Sequence, residues 1–118
     1  MDKEDVVLAF AALAQPTRLD AFRLIVENEP EGLPAGEVAR RLAVPHNTMS
    51  SHLAVLARAG LVAGERRSQS IIYRARLERV RELATYLVKD CCGGRPEVCG
   101  PLVTALAPCC ETREDVDG

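Results

Sequence analysis

Residues 45–60 read PHNTMSSHLAVLARAG, and the apolar side chains of this stretch recur with a helical period. Met49, Leu53 and Leu56 stand at i, i+4 and i+7, so a helix buries them on one stripe. The residues that such a helix turns outward are Asn47, Ser50, Ser51 and Arg58. Because Gly60 is typical of the left-handed residue that follows a helix, the stretch predicts a helix that ends there and has a polar face without acidic residues.

A second, shorter helical pattern precedes this stretch. Residues 34–42 place their apolar side chains on one side, and residues 43–45 form a turn. Two helices joined by so short a turn have the form of a helix-turn-helix, whose second helix can enter the major groove of DNA.

After Gly60 the pattern changes from helix to strand. Residues 61–67 and 70–75 predict two strands around a polar tip that contains Arg66 and Arg67. A hairpin with a basic tip beside a helix-turn-helix is a wing. The predicted fold class is therefore mainly α with a small β hairpin, a winged helix-turn-helix.

The composition allows one domain of this kind. The chain has 118 residues, of which 47% are hydrophobic, enough to form a core. No apolar run approaches the roughly 20 residues of a membrane-spanning helix, and the N-terminus has no basic region ahead of a hydrophobic one. We therefore expect a cytoplasmic protein without membrane association.

Charged residues are segregated along the chain, although the formal net charge is only −2. Residues 1–39 carry a net charge of −5, residues 40–76 of +6, and residues 77–118 of −3. The basic residues of the central segment are all arginines. A basic segment between acidic ends is the electrostatic footprint of a groove-binding element, and the alternative is a solvated charged face.

Helices are also predicted on both sides of this central part. Residues 2–14 predict a first helix with Asp2 as its N-cap, and residues 17–27 a second helix after Pro16. The predicted buried stripe of the second helix is Leu19, Phe22 and Val26, widened by Ile25. Residues 77–91 predict a long last helix. The predicted apolar stripe of the first helix is Val6, Phe10 and Leu13. This stripe and that of the last helix predict a dimer interface between the two helices, and the alternative is packing within one chain.

The surface predicted to bind double-stranded DNA combines the outward face of the second helix of the helix-turn-helix with the wing. Its residues are His46, Asn47, Thr48, Ser50, Ser51, Arg58, Arg66 and Arg67. As metal ligands the two histidines would have no carboxylate or cysteine nearby in sequence, and neither is predicted to be catalytic. We interpret His46 as a polar residue facing the groove and His52 as partly buried support.

All five cysteines follow residue 90, and a disulfide framework is not expected because the cytosol keeps thiols reduced. A Gly-Gly turn follows Cys91 and Cys92 and can bring Cys99 back onto them. Three soft thiolates can bind trivalent arsenic or antimony, whereas tetrahedral zinc requires a fourth ligand. Packing as small hydrophobic residues and a redox switch remain alternatives. Cys109 and Cys110 are candidates for an auxiliary metal site.

At these positions the chain resembles the ArsR/SmtB family of bacterial metal-responsive winged-helix repressors. The resemblance covers residues 5–92 and includes AQPTRL at 14–19, PHNTMSSHL at 45–53, LARAGLV at 56–62 and YR at 73–74. It implies a homodimer formed by the first and last helices, which binds operator DNA and leaves it when the inducer binds. The recognition-helix positions that it implies are His46, Asn47, Ser50 and Ser51.

The chain departs from the family pattern at two places. Pro45 stands where the family often has a capping serine, and residues 33–42 lack the Cys-x-Cys motif of many arsenic sensors. Cys91, Cys92 and Cys99 instead resemble a subgroup of arsenic repressors with a cysteine pair at the end of the last helix and a third cysteine shortly after. Zinc and cadmium sensors of the family use histidines on the last helix, and residues 77–90 contain none.

The resemblance and the residues together predict a repressor that needs no cofactor for DNA binding and that trivalent arsenic or antimony induces. Residues 1–92 form the predicted DNA-binding and dimerisation domain, and residues 93–118 a Cys/Gly/Pro-containing tail that contributes to the inducer site. One rival is a thiol redox-sensing repressor on the same fold. The other is a thiol-dependent arsenate reductase, but the chain has no Cys-x5-Arg loop, no Cys-x-x-Cys and no nucleophile–base arrangement. We therefore predict that it is not an enzyme.

Overall fold

The structure, a computed structural model, describes residues 1–89, with side chains to residue 88. Its helices are α1 (Lys3–Leu13), α2 (Pro16–Glu27), α3 (Ala35–Leu42), α4 (His46–Arg58) and α5 (Leu77–Lys89), and its strands are β1 (Leu33–Pro34), β2 (Val62–Arg67) and β3 (Ser70–Ala75). Met1–Glu82 forms one unit and a second begins at Leu83. The predicted helices and hairpin are confirmed in their order, and the structure adds the short strand β1 before α3. The last two residues predicted for the final helix lie outside the described range.

Side chains cap the first two helices. The Asp5 amide donates a hydrogen bond to Oδ1 of Asp2 at 2.9 Å, so the predicted N-cap of α1 is confirmed. The Arg18 amide donates to Oε1 of Gln15 at 2.8 Å, and Pro16 is the first residue of α2. Proline suits this position because the first turn of a helix has no internal partner for its amide.

The core forms where α2 packs against α1, α3 and α4. Its largest fully buried side chains include Ile25, Met49, Leu53 and Leu56. The predicted buried stripe of α2 was partly wrong, because Leu19 is 43% exposed while Ala21, Phe22 and Ile25 are buried. The helical period alone was compatible with a buried face that includes Leu19 and with one that does not. Packing of α2 against three helices selected the face centred on Phe22 and Ile25.

The sheet has three antiparallel strands in the order β1-β3-β2, one more than the predicted hairpin. Leu33 pairs with Tyr73 and Pro34 with Ile72, although residue 34 was predicted to begin a helix. Two residues are too few to show an alternating pattern, so the pairing could not be predicted. Proline is tolerated there because β1 is an edge strand.

Apolar side chains of α1 and α5 remain exposed. Val7 and Leu8 are 58% and 50% exposed, and Leu77 and Val80 are 47% and 37% exposed. Val6 is buried, so the open side of α1 lies next to the predicted stripe rather than on it. Among the described residues, no helix has the length and apolar character needed to cross a membrane.

Candidate DNA-binding surface

Helix α4, the recognition helix, has one apolar and one polar side. Met49, Leu53 and Leu56 are fully buried, which confirms the predicted stripe. The outward residues are His46, Asn47, Thr48, Ser51 and Arg58, which are exposed, and Ser50, which is half-buried. The buried stripe holds the helix against the core, so the opposite face is available to a ligand.

The N-terminus of α4 begins after Pro45, whose side chain forms no capping hydrogen bond. The carbonyl of Pro45 accepts a hydrogen bond from the Met49 amide at 2.9 Å. The first amides of a helix lack internal partners and carry a partial positive charge. Because Pro45 supplies no side-chain cap, the first-turn amides stay available to an anionic acceptor.

Two contacts orient α4 on the scaffold. A Cβ atom at Gly36 of α3 would lie 3.6 Å from Cδ2 of His46, so the imidazole ring lies directly against α3. Arg18 of α2 donates from Nε to the Ala12 carbonyl at 2.7 Å, and its Nη1 lies 3.5 Å from Nδ1 of His52. His52 is half-buried, as predicted for a supporting residue. Arg18 therefore connects the end of α1 with the middle of the recognition helix.

The C-terminus of α4 depends on a left-handed glycine, as the sequence predicted. Gly60 has a φ of +80°, and the Leu61 amide donates back to the Leu56 carbonyl at 3.0 Å. The guanidinium of Arg79 lies against Gly60, where a Cβ atom would be only 2.7 Å from Nη2. A cation at this position is favoured because the C-terminus of a helix carries partial negative charge.

The wing is the hairpin of β2 and β3, closed by a turn between Arg67 and Ser70. Arg66 and Arg67 are both exposed, as predicted. Arg67 forms an ion pair with Glu65 at 3.0 Å, whereas Arg66 forms none with any residue that the structure describes. Arg66 is therefore the cation at the wing tip that can meet a phosphate without breaking an existing pair.

A carboxylate anchors the base of the wing. Oε2 of Glu29 accepts a hydrogen bond from the Ala75 amide at 2.7 Å, and its Oε1 lies 3.2 Å from Nη2 of Arg74. The Glu29 side chain is only 15% exposed. Gly32 allows this close approach, because a Cβ atom there would lie 2.5 Å from the Tyr73 carbonyl oxygen. The loop after α2 is thus fastened to the end of β3.

The outer side of α3 carries a cluster of three charged residues. Oε2 of Glu37 accepts hydrogen bonds from Nη2 of Arg40 and from Nε of Arg41, the latter at 2.7 Å. The side-chain hydrogen bond from Arg40, followed by that from Arg41, lowers the pKa of Glu37 to about 2. Glu37 is therefore ionised throughout the neutral pH range.

The structure brings the predicted residues together in three places. Three of them, His46, Asn47 and Thr48, lie in the first turn of α4, with Ser50 and Ser51 in the next. Arg58 lies at the far end of α4, and Arg66 and Arg67 lie at the wing tip. The sequence reasoning missed Arg18, Glu29 and Glu37. Arg18 and Glu29 have partners far away in the chain, in His52 and Ala75, whereas the partners of Glu37 lie in the same helix. The i, i+3 and i, i+4 spacing of Glu37 with Arg40 and Arg41 was a usable signal.

The predicted inducer site lies outside the described residues. Cys91, Cys92 and Cys99, and also Cys109 and Cys110, all belong to the part of the chain after residue 89. Within the described part, no group of three His, Cys, Asp or Glu side chains is arranged to hold a metal ion. The arsenic site therefore stays a prediction.

A recognition helix between a tight turn and a β hairpin, on a base of further helices, defines a winged helix-turn-helix protein. A family profile described as a helix-turn-helix domain matches residues 13–65. The chain is 30% identical over 86 residues to the transcriptional activator HlyU of Vibrio cholerae, which covers 73% of this chain and 77% of HlyU.

Two solved structures give the same assignment. An ArsR-like transcriptional regulator from Rhodococcus sp. RHA1 has a TM-score of 0.67 and 27% identity, over 73% of this chain and 78% of that one. The homodimeric winged helix-turn-helix DNA-binding domain (fragment 1-100) of a possible ArsR-family transcriptional regulator from Mycobacterium bovis has a TM-score of 0.61 and 25% identity, over 76% and 82%. The chain belongs to the ArsR family of transcriptional regulators. These relatives are regulators and not enzymes, so the prediction that the chain is not an enzyme is confirmed.

Proposed function

We propose that the protein is a homodimeric repressor that binds operator DNA through α4 and the wing and releases it when trivalent arsenic binds Cys91, Cys92 and Cys99. One observation supports DNA binding above all. Met49, Leu53 and Leu56 are fully buried and hold α4 with its polar face, which has no acidic residue, outward, while the wing presents Arg66 without a partner among the described residues. Such a helix can read base edges while a nearby cation neutralises phosphates.

Exposed apolar side chains support the dimer. Val7 and Leu8 on α1 and Leu77 and Val80 on α5 are large residues left in contact with water. A second copy of the chain would cover them, and closed symmetry is the usual result of such self-association. The related domain from Mycobacterium bovis is homodimeric. A dimer would also supply two recognition helices for the two halves of a palindromic operator.

The inducer proposal rests on the sequence of the tail. Cys91 and Cys92 adjoin each other in the sequence, and Cys99 follows after the pair Gly93-Gly94. Thiolates are soft ligands, and three of them match the pyramidal coordination of trivalent arsenic or antimony. Cys109 and Cys110 would form at most an auxiliary site.

The family assignment does not give the direction of regulation, because the relative from Vibrio cholerae is named an activator. Repression is therefore part of the proposal. A gel shift with the promoter of the protein's own gene, with and without arsenite under reducing conditions, tests binding and release together. A reporter fused to that promoter shows the direction of regulation. Lower reporter output in cells that express the protein, restored by arsenite, is the expected result.

Cysteine variants test the inducer site. Replacement of Cys91, Cys92 or Cys99 by Ser should leave DNA binding intact and abolish release by arsenite, because three thiolates are needed to complete the site. Replacement of Cys109 and Cys110 is the matched control and should change the response at most modestly. Full arsenite release in the Cys91→Ser/Cys92→Ser variant would contradict the assignment.

Oxidants distinguish the rival hypothesis. Release by peroxide or diamide, but not by arsenite, would favour a redox sensor in which a disulfide forms between the same thiols. By linkage, an inducer that weakens DNA binding must itself bind more weakly, by the same factor, to the DNA complex. Arsenite affinity measured with and without the promoter duplex therefore checks the coupling independently.

A further inference from the structure

Two arginines outside the predicted DNA-binding set lie beside the recognition helix. Arg40 and Arg41 form the last turn of α3 and precede His46, the first residue of α4, by six and five positions. Gly36, one turn before Arg40, lies against the ring of His46. Because residues four apart share one face of a helix, Arg40 belongs to the side of α3 that faces the start of α4.

This side of α3 is where a DNA backbone is expected. In a helix-turn-helix, the N-terminal residues of the second helix contact base edges while the first helix crosses the phosphate backbone. The Arg40 side chain is 70% exposed and that of Arg41 is 39% exposed, so both are accessible to a phosphate. Arginine is also the residue whose planar donors best match phosphate oxygens.

In the free protein, however, Glu37 occupies both arginines. Its Oε2 accepts from Nη2 of Arg40 and from Nε of Arg41, and its Oε1 accepts from Nε of Arg40 at 3.1 Å. One carboxylate thus engages two guanidinium groups on the surface that would approach DNA. Such exposed pairs are weak, so a phosphate can displace the carboxylate.

We propose that Arg40 and Arg41 form a phosphate-binding site on α3, and that Glu37 limits DNA affinity by holding both arginines until a phosphate replaces its carboxylate. This site rests on the DNA binding proposed above. This contact does not depend on base sequence. It therefore sets the affinity for any duplex and leaves the choice of operator to α4.

The consequences can be measured on a duplex of random sequence. Each phosphate contact contributes about 0.9 to the slope of log affinity against log salt, or roughly a 3.5-fold loss between 50 and 200 mM salt. Arg40→Gln and Arg41→Gln should each weaken binding and flatten this slope by about that amount. Glu37→Gln should instead strengthen binding roughly two- to fivefold at low salt, the scale of an exposed ion pair.

A combined variant separates direct competition from a general charge effect. If Glu37 acts by holding the arginines, Glu37→Gln has no effect in the Arg40→Gln/Arg41→Gln background. If the strengthening persists in that background, the carboxylate acts only as a distant negative charge and the competition is excluded. Glu82→Gln is the matched control. Glu82 pairs with Arg79, three residues away in α5, at 3.7 Å. Arg79 lies against Gly60, which follows the C-terminal end of α4.

Fluorescence anisotropy over a salt series gives each affinity, and thermal unfolding checks that every variant is folded. Unchanged affinity and slope in both arginine variants, with normal binding by the wild type, would overturn this inference alone. If the wild type binds neither the promoter duplex nor the random duplex, the proposed function is overturned, and the phosphate site with it. The two failures are thus distinguishable.

Discussion

Asn47 and Ser51 differ from the wing arginines in the kind of DNA contact that they can make. An amide or a hydroxyl group on the exposed side of α4 can hydrogen bond to a base edge, and the pattern of donors and acceptors in the major groove identifies the base pair. Arg66 on the wing tip neutralises phosphate, which carries no sequence information. Base readout and phosphate contact should therefore be separable by mutation.

We expect Asn47→Ala or Ser51→Ala to cost about 1–3 kcal/mol of binding free energy on the operator and little on random DNA. Arg66→Gln should weaken binding to both and reduce the salt slope by about 1. Arg67→Gln should have a smaller effect, because Arg67 is already paired with Glu65. Competition titrations with the two duplexes measure these differences. Equal losses on both duplexes for Asn47 and Ser51 would remove their role in base readout.

Glu29 anchors the base of the wing through two contacts with β3. Its carboxylate accepts from the Ala75 amide and pairs with Arg74, and it is largely shielded from water. We expect Glu29→Ala to lower the free energy of unfolding by about 1–3 kcal/mol, since the amide loses a charged acceptor. Glu31→Ala, two residues on and exposed, is the control and should be near neutral. Urea unfolding measures both, and equal effects would show that the anchor contributes nothing.

At the scale of an element, the ends of α4 differ in what fixes them. The N-terminus has no side-chain cap and lies against Gly36 of α3 through the His46 ring. The C-terminus is followed by Gly60, whose positive φ strains any residue with a Cβ atom and against which the Arg79 guanidinium packs. The start of the recognition helix is therefore open to a ligand, while its end is held by the scaffold.

Two glycine substitutions test this difference. Gly60→Ala should lower the free energy of unfolding by about 1–2 kcal/mol, because a left-handed backbone is strained for alanine and Arg79 must move. Gly36→Ala, inside α3 and with ordinary van der Waals distance to His46, should be neutral or raise it by up to about 1 kcal/mol. Thermal unfolding of the two variants gives the comparison. A Gly60→Ala protein as stable as the wild type would show that this helix end tolerates alanine.

For the whole molecule, the exposed apolar residues of α1 and α5 predict the assembly. We expect a dimer at micromolar concentration, and Leu8→Glu should shift it toward monomer because a buried carboxylate without a partner is costly. Ile71→Glu is the control, since Ile71 is a similarly exposed apolar residue on the wing. Sedimentation equilibrium gives the oligomeric state of each protein. A wild-type monomer that still binds a palindromic site tightly would contradict the dimer.

Most of the DNA-binding part could be predicted from local patterns. The apolar spacing of Met49, Leu53 and Leu56, the glycine at position 60 and the two arginines of the hairpin are all short-range signals, and the structure agrees with each. The sequence also identified the family by resemblance. These predictions succeeded because helical period, helix ends and turns depend on residues only a few positions apart.

The tertiary structure decided what depends on residues far apart in the chain. Leu33 pairs with Tyr73 and so makes the third strand. The side of α2 that packs against three other helices does not include Leu19, which therefore stays exposed. The return of β3 brings Ala75 to Glu29. None of these has a local signature, since each is selected only when the chain has folded back on itself. Burial and long-range hydrogen bonds are properties of the packed molecule, whereas the helices, the turn and the wing follow from the conformational preferences of neighbouring residues.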